Sequence, residues 1–317
     1  MQTPKTVFMF SGQGSQYFHM GRALYDDNDT FHGWMDRLDE IARPSLGGSL
    51  IAALYSDARS KGESFDRTVL THPAIFMVEY SLAQALMQSG VRPDMVLGVS
   101  MGSFAAAAVG GFIDVEDALN AVLRQAMALE EYGEPGGMTA VLADPALFAK
   151  EFLRGRSELA AVNFASHFVV TARQTELAEI KADLRKHDVN HQQLPVLFPF
   201  HSQWIDDAKA PFGSFMQSVR CRPGRLPLAC CDQAVVLSDL GDDYFWDVVR
   251  HPIRFRETVA RLEEQGPRRY VDVGPAGTLA TFLKYGLPPT STSTVQAILT
   301  PFGTDRKNLA AVSAMVH

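Results

Sequence analysis

Asp94-Met95-Val96-Leu97-Gly98-Val99-Ser100-Met101-Gly102-Ser103-Phe104-Ala105-Ala106-Ala107 reads as a strand, a tight turn and a helix. The apolar run 95–97 suits a buried strand, and the alanine-rich segment behind it is a strong helix former. Between them, Gly98-Val99-Ser100-Met101-Gly102 has the G-x-S-x-G form of a nucleophile elbow. Glycine is expected at 98 and 102 because so sharp a turn leaves no room for larger side chains beside neighbouring backbone. The Ser100 hydroxyl is thereby pushed out of the sheet. It sits at a helix N-terminus, where free N–H groups favour an alkoxide or the oxyanion of a tetrahedral intermediate. An ordinary helix start is the alternative reading of the same residues.

Upstream, the apolar run Thr6–Phe10 ends in the glycine-rich turn Ser11-Gly12-Gln13-Gly14-Ser15-Gln16. The turn lacks both the phosphate-loop lysine and the three-glycine dinucleotide spacing, so it reads as a loop presenting backbone N–H groups. Residues 31–60 read as irregular helix interrupted at Pro44 and Gly47-Gly48, and a second helix is expected from Thr71 to Ser89-Gly90. Downstream, helix 115–131 is followed by the linker Gly133-Glu134-Pro135-Gly136-Gly137. A new rhythm then begins: strand 138–143, helix 145–154, strands 159–164 and 168–172, helix 175–187, strand 194–198. That βαββαβ order is a ferredoxin-like unit. The remainder reads as helix 203–219, strand 226–230, helices 243–249 and 254–265, strand 270–273, helix 278–285, strand 294–298 and a terminal helix from 305. Strands alternating with helices imply a mostly parallel sheet. The expected fold is therefore α/β, with residues 1–132 and 201–317 forming a large parallel-sheet domain and 133–200 an inserted ferredoxin-like subdomain.

Among nine histidines, His201 in Pro199-Phe200-His201-Ser202 stands where the inserted unit returns to the main domain and would face the cleft. The elbow needs a base, which raises it above His167, His187 and His191. Composition is ordinary for a globular chain: 317 residues, 46% hydrophobic, net charge −7. The acidic balance argues against nucleic-acid binding. The Met-Gln-Thr-Pro-Lys start has no signal-peptide pattern, and the run 104–113 is too short to span a membrane. A cytoplasmic protein is expected, with no membrane partner and a monomeric state. Cys221, Cys230 and Cys231 show neither a disulfide framework nor metal-ligand spacing with histidine, so free thiols and no metal are expected.

Seven segments in one order resemble the malonyl-CoA:acyl-carrier-protein transacylase family, which includes the acyltransferases of polyketide and fatty-acid synthases. They are Gly12–Gln16, Thr71-His72-Pro73-Ala74, Gly98–Gly102, Ala161-Val162-Asn163, Phe200-His201-Ser202, Pro252-Ile253-Arg254-Phe255 and Val273-Gly274-Pro275. The resemblance spans nearly the whole chain. It implies an α/β-hydrolase-like large domain, a ferredoxin-like small domain and a Ser–His dyad, with Ser100 as nucleophile and His201 as base. It further implies an oxyanion hole from the N–H groups of Gln13 and Met101, and a histidine oriented by the backbone carbonyl of Val248. Asn163 and Phe200 would border the substrate. No cofactor is implied; the acyl group arrives on the phosphopantetheine of an acyl carrier protein or on coenzyme A.

Departures from the family pattern bear on the substrate. Members that use malonyl units carry histidine just before the nucleophile and arginine twenty-five residues beyond it, where this chain has Val99 and Gln125. A carboxylate desolvated without a cation binds poorly. Arg124 adjoins Gln125 but should point elsewhere, successive helix positions being about 100° apart; a one-residue helix shift would restore malonyl transfer. His72, Ser103 and Gln203-Trp204 differ from the family pattern too. The leading expectation is an editing hydrolase that acts in trans on non-carboxylated acyl thioesters of a polyketide assembly line. The alternatives are an acyltransferase between carrier proteins or from acyl-CoA, a malonyl transacylase, and an inactive carrier-protein-docking scaffold. For docking an acidic carrier protein, Arg250, Arg254, Arg256, Arg268 and Arg269 are the candidates.

Overall fold

Ten strands build two separate sheets in the computed structural model, which describes residues 4–314. Residues 1–3, which open the stretch read as lacking a signal peptide, and 315–317, the end of the chain, fall outside the described residues. The strands are β1 (Lys5–Phe10), β2 (Met95–Gly98), β3 (Gly136–Val141), β4 (Glu158–Phe164), β5 (His167–Arg173), β6 (His191–Gln193), β7 (Leu228–Cys230), β8 (Val235–Leu237), β9 (Arg268–Asp272) and β10 (Thr294–Ala297). The large sheet has the order β10-β9-β1-β2-β7-β8 and is parallel except for the antiparallel β8 edge. β1 and β2 lie at its centre and end together, Phe10 opposite Gly98. Loops after those two carboxyl ends therefore meet, the usual place for a site in an open α/β sheet.

The elbow's two glycines have the role expected of them. A Cβ at Gly98 would collide with Ser103, and one at Gly102 with the carbonyl oxygens of Phe10 and Ser11. Every residue of the helix that follows, Gly102–Gly110, is buried, as befits a helix apolar on all sides. Gly102→Ala is expected to destabilise the protein by about 3 kcal/mol, since backbone atoms on two sides cannot yield. Urea unfolding measures this, and a loss below about 0.5 kcal/mol would contradict the packing described.

The second sheet is antiparallel, with the order β4-β5-β3-β6. Its crossovers are a 3₁₀ turn and short helix (Pro145–Ala149, Glu151–Arg154) and the helix Gln174–Lys186. This is the ferredoxin-like connectivity, with its own apolar cluster of Val141, Leu153, Phe168, Val170, Ile180 and Leu184. It joins the large sheet's side through Ile253, whose N–H donates to Ala160 and whose carbonyl accepts from Val162.

Several boundaries differ from expectation. The last strand of this unit is His191–Gln193, not 194–198. The ladder ends where Leu194 N–H donates to the Met138 carbonyl, because Pro195 has no N–H to continue it. Pro44 does not interrupt the helix Asp29–Leu46, which stops only at Gly47 in the left-handed conformation. The segment 203–219 is a 3₁₀ turn, Gln203–Ala208, followed by a shorter helix, Lys209–Met216. Strand β8 (Val235–Leu237) lies between the expected strand 226–230 and helix 243–249, where the sequence predicts no strand. No helix among the described residues is long and apolar enough to cross a membrane.

Candidate active site

Ser100 sits just past β2 with φ 54°, and His201 has φ 62°. Both are non-glycine residues in the left-handed region, a conformation that costs about 1–3 kcal/mol and persists only where the surroundings enforce it. The strain aims the two side chains at each other, with Ser100 Oγ 2.9 Å from His201 Nε2. His201 Nδ1 lies 2.7 Å from the carbonyl oxygen of His251. A carbonyl can only accept, so Nδ1 carries the ring proton and Nε2 presents its lone pair to the serine hydroxyl. The backbone N–H of His201 is held as well, by the Val249 carbonyl at 2.9 Å.

Val248, expected to orient the base, does not do so. It lies inside the helix Tyr244–Arg250, whereas His251 follows the helix in an extended conformation and it is its carbonyl that meets Nδ1. His201 is buried, and burial depresses its pKa to about 4 against the contrary effect of the His251 carbonyl. A neutral Nε2 is needed to take a proton, so the base remains competent down to that value. The acylation rate is expected to be flat from about pH 8 to pH 5 and to fall below about pH 4, as protonation removes the lone pair. A limb centred near 6.5 in a stopped-flow pH profile would contradict this.

The loop after β1 covers the serine. A Cβ at Gly12 would stand 2.9 Å from Ser100 Cβ. Glu79, fully buried, fixes the loop's start by accepting from Ser11 N–H at 2.6 Å and from its hydroxyl at 3.0 Å. Ser15 Oγ donates to the Gly12 carbonyl, and Gln16 Oε1 accepts from Gly14 N–H. The N–H groups of Gln13 and Met101 find no acceptor among the described residues, and both residues line the same cavity as Ser100. The Gln13 side chain is otherwise engaged, with His72 Nε2 2.8 Å from its Oε1 and its amide donating to Thr71.

A cavity of about 220 Å³ opens in front of the pair, between the two sheets. Its walls include Val99, Met138, Ala140, Ala161, Val169, Leu194, Phe200, Ile253 and Phe282, with His72, Asn163, His167 and Thr278 as polar members. Among the described residues, no lysine, arginine, aspartate or glutamate lines it. His72 cannot supply charge either, since burial lowers its pKa to about 3. Asn163 hydrogen-bonds His167 across 3.1 Å.

Gln125, read as a substrate contact, is absent from the walls. Its side chain is buried behind the elbow helix, with Nε2 donating to the Phe245 carbonyl at 3.0 Å. Arg124 is exposed and its guanidinium lies over the Phe215 ring, so no helix shift brings it to the cavity. Ser103 is buried outside the cavity, and Gln203 turns to Glu158 at the surface. Glu79 and His251 were not singled out by the sequence. A buried acid inside an apolar helical face was the available signal for Glu79.

The arginines expected at a docking surface divide. Arg268 is buried against Gln265, and Arg269 donates to Thr6. Both stand at the start of β9, the end of the sheet remote from Ser100, so neither borders the cleft. Arg250 pairs with Asp206. Arg254 and Arg256 are exposed and form no ion pair among the described residues.

A family model described as acyl transferase domain matches residues 7–315. The polyketide biosynthesis acyltransferase homolog BaeD of Bacillus velezensis is 43% identical over 307 residues, covering 96% of this chain and 95% of that protein. The homolog PksD of Bacillus subtilis is 40% identical with the same coverage. Among solved structures, the acyl transferase domain of SpnD in complex with 2-(pent-4-yn-1-yl)malonyl superposes with a TM-score of 0.90 at 27% identity, covering 99% of this chain and 78% of that one. A loading acyltransferase from the avermectin modular polyketide synthase gives 0.89 at 27% identity, covering 98% and 99%.

Proposed function

This chain belongs to the acyl transferase domain family, and from that premise we propose that it is an editing acyl hydrolase of polyketide biosynthesis, acting in trans on non-carboxylated acyl groups borne by carrier proteins. One observation carries the reading: the Ser100–His201 pair opens onto a cavity with no cation in its walls. A carboxylate moved there from water would lose its hydration without a counter-charge, whereas a neutral acyl chain gains by burial.

The chemistry follows from the geometry. Ser100 Oγ attacks the thioester carbonyl while His201 Nε2 takes the hydroxyl proton. The N–H groups of Gln13 and Met101 hold the oxyanion. The C–S bond then breaks, and His201 returns the proton to the pantetheine sulfur. Nothing in the walls resembles an arginine clamp that would align the acyl ester for an incoming thiol, so water, deprotonated by the same imidazole, attacks the ester carbonyl; the acyl C–Oγ bond breaks, His201 returns the proton to Ser100 Oγ, and the free acid leaves. A thioester's good leaving group lets a dyad without a third acid suffice. Arg254 and Arg256 would receive the acidic surface of the carrier protein.

Transfer to a second thiol uses the same acyl-enzyme, and the relatives' description as acyltransferase homologs favours it as the second reading. Incubating the protein with neutral acyl-loaded carrier protein, with and without an unloaded acceptor, separates the two. Free acid appearing at the same rate in both supports the hydrolase. Acyl transfer onto the acceptor replaces it with the transferase, and absence of any acyl adduct by intact-protein mass spectrometry leaves only a docking scaffold.

A further inference from the structure

The carbonyl that orients His201 lies just past the end of a helix. The His251 N–H still donates to the Asp247 carbonyl, but His251 is extended, so no intrahelical bond holds its own carbonyl. Contacts to both sheets flank it, Ile253 N–H donating to the Ala160 carbonyl of the small sheet. The His251 imidazole Nδ1 is 3.1 Å from Oδ1 of Asp232, whose side chain is only 8% exposed. Three residues on, Arg254 N–H donates to the Cys231 carbonyl at 2.7 Å. Asp232 follows β7 by two residues, so it anchors this segment to the sheet that also carries Ser100.

We propose that Asp232, through the side chain of His251, is a positioning residue that fixes the carbonyl holding His201 Nδ1 and so keeps the base in line with Ser100. The proposal rests on the Ser–His reading above. The path runs Asp232 Oδ1, His251 ring, His251 carbonyl, His201 ring and Ser100 Oγ, with contacts of 3.1, 2.7 and 2.9 Å. Asp247 stands beside the same ring, with its carboxylate within 4.8 Å of the other two groups; Arg254 lines the same hollow. Because His251 contributes its backbone to the base and its side chain to Asp232, truncating the side chain leaves the carbonyl present but without its tie to Asp232, held only by the backbone bonds on either side. Reacting groups displaced by about 1 Å cost up to ~100-fold in rate.

Single-turnover acylation by an acyl thioester tests this in Asp232→Ala, Asp232→Asn, His251→Ala and the double alanine variant, with thermal unfolding recorded for each. Asp232→Ala and His251→Ala are each expected to slow acylation by about ten-fold while KM changes less than about two-fold. The double variant should be no slower than either single one, because both cut the same link. Asp232→Asn should recover most of the rate, its amide oxygen still accepting from the imidazole. Alanine variants that acylate at the wild-type rate, or whose losses multiply, overturn the proposal. His201→Ala is the separate control: a wild-type rate there overturns the base assignment and this positioning role with it, whereas a lost rate there beside intact Asp232→Ala and His251→Ala rates overturns the positioning role alone.

Discussion

Ser100→Ala is expected to abolish the acyl-enzyme and to lower turnover of a neutral acyl thioester by at least ~10⁴-fold. The Ser100 hydroxyl is the group that His201 Nε2 faces at 2.9 Å, and alanine leaves the base without an attacking atom to activate. His201→Ala should cost about a thousand-fold and leave a measurable remainder, because the oxyanion donors still act when the base is gone. Intact-protein mass spectrometry after mixing with the thioester reads the first effect directly. The wild type should gain the acyl mass and Ser100→Ala should not. Undiminished turnover in Ser100→Ala would overturn the mechanism.

The second large effect concerns the acyl group. In a competition between acetyl and malonyl thioesters in one vessel, acetyl should be consumed at least ~100-fold faster, the equivalent of about 3 kcal/mol for a carboxylate left without a charged partner. Propionyl and longer neutral chains should follow acetyl, since the cavity offers them apolar walls. The double substitution Val99→His with Gln125→Arg supplies a polar group in the cavity wall and a cation behind it. It should move the ratio toward malonyl by roughly ten-fold, the worth of one charge-assisted hydrogen bond. Gln125→Arg alone should do less, because position 125 now faces the Phe245 carbonyl and not the cavity. A wild-type preference for malonyl would sink the substrate reading, and Arg124 would not rescue it from its place over Phe215.

Docking shows how a sequence position can mislead. Arg268 and Arg269 adjoin the strand that ends in the Val273-Gly274-Pro275 motif, which made them candidates. A strand has two ends, however, and they occupy the one away from the cleft, where Arg269 meets Thr6 at the start of β1. Linear proximity to a motif says nothing about which end of the strand is meant.

What the sequence determined by itself was whatever depends on local sterics and period. Gly98 and Gly102 betray a turn in which backbone passes within contact distance, and the elbow's strand and helix follow from apolar runs on either side. The βαββαβ rhythm announces a second sheet because alternation of element type needs no knowledge of distant partners. Tertiary structure alone decided the contacts made across the chain. Whether the His201 ring meets the Val248 or the His251 carbonyl depends on where a helix stops fifty residues away. Whether Gln125 faces substrate or the Phe245 carbonyl depends on a neighbouring helix 120 residues on. Glu79 beneath the oxyanion loop and Asp232 behind His251 belong to the same class. Each owes its role to a partner brought near by packing, and no spacing along the chain encodes that distance.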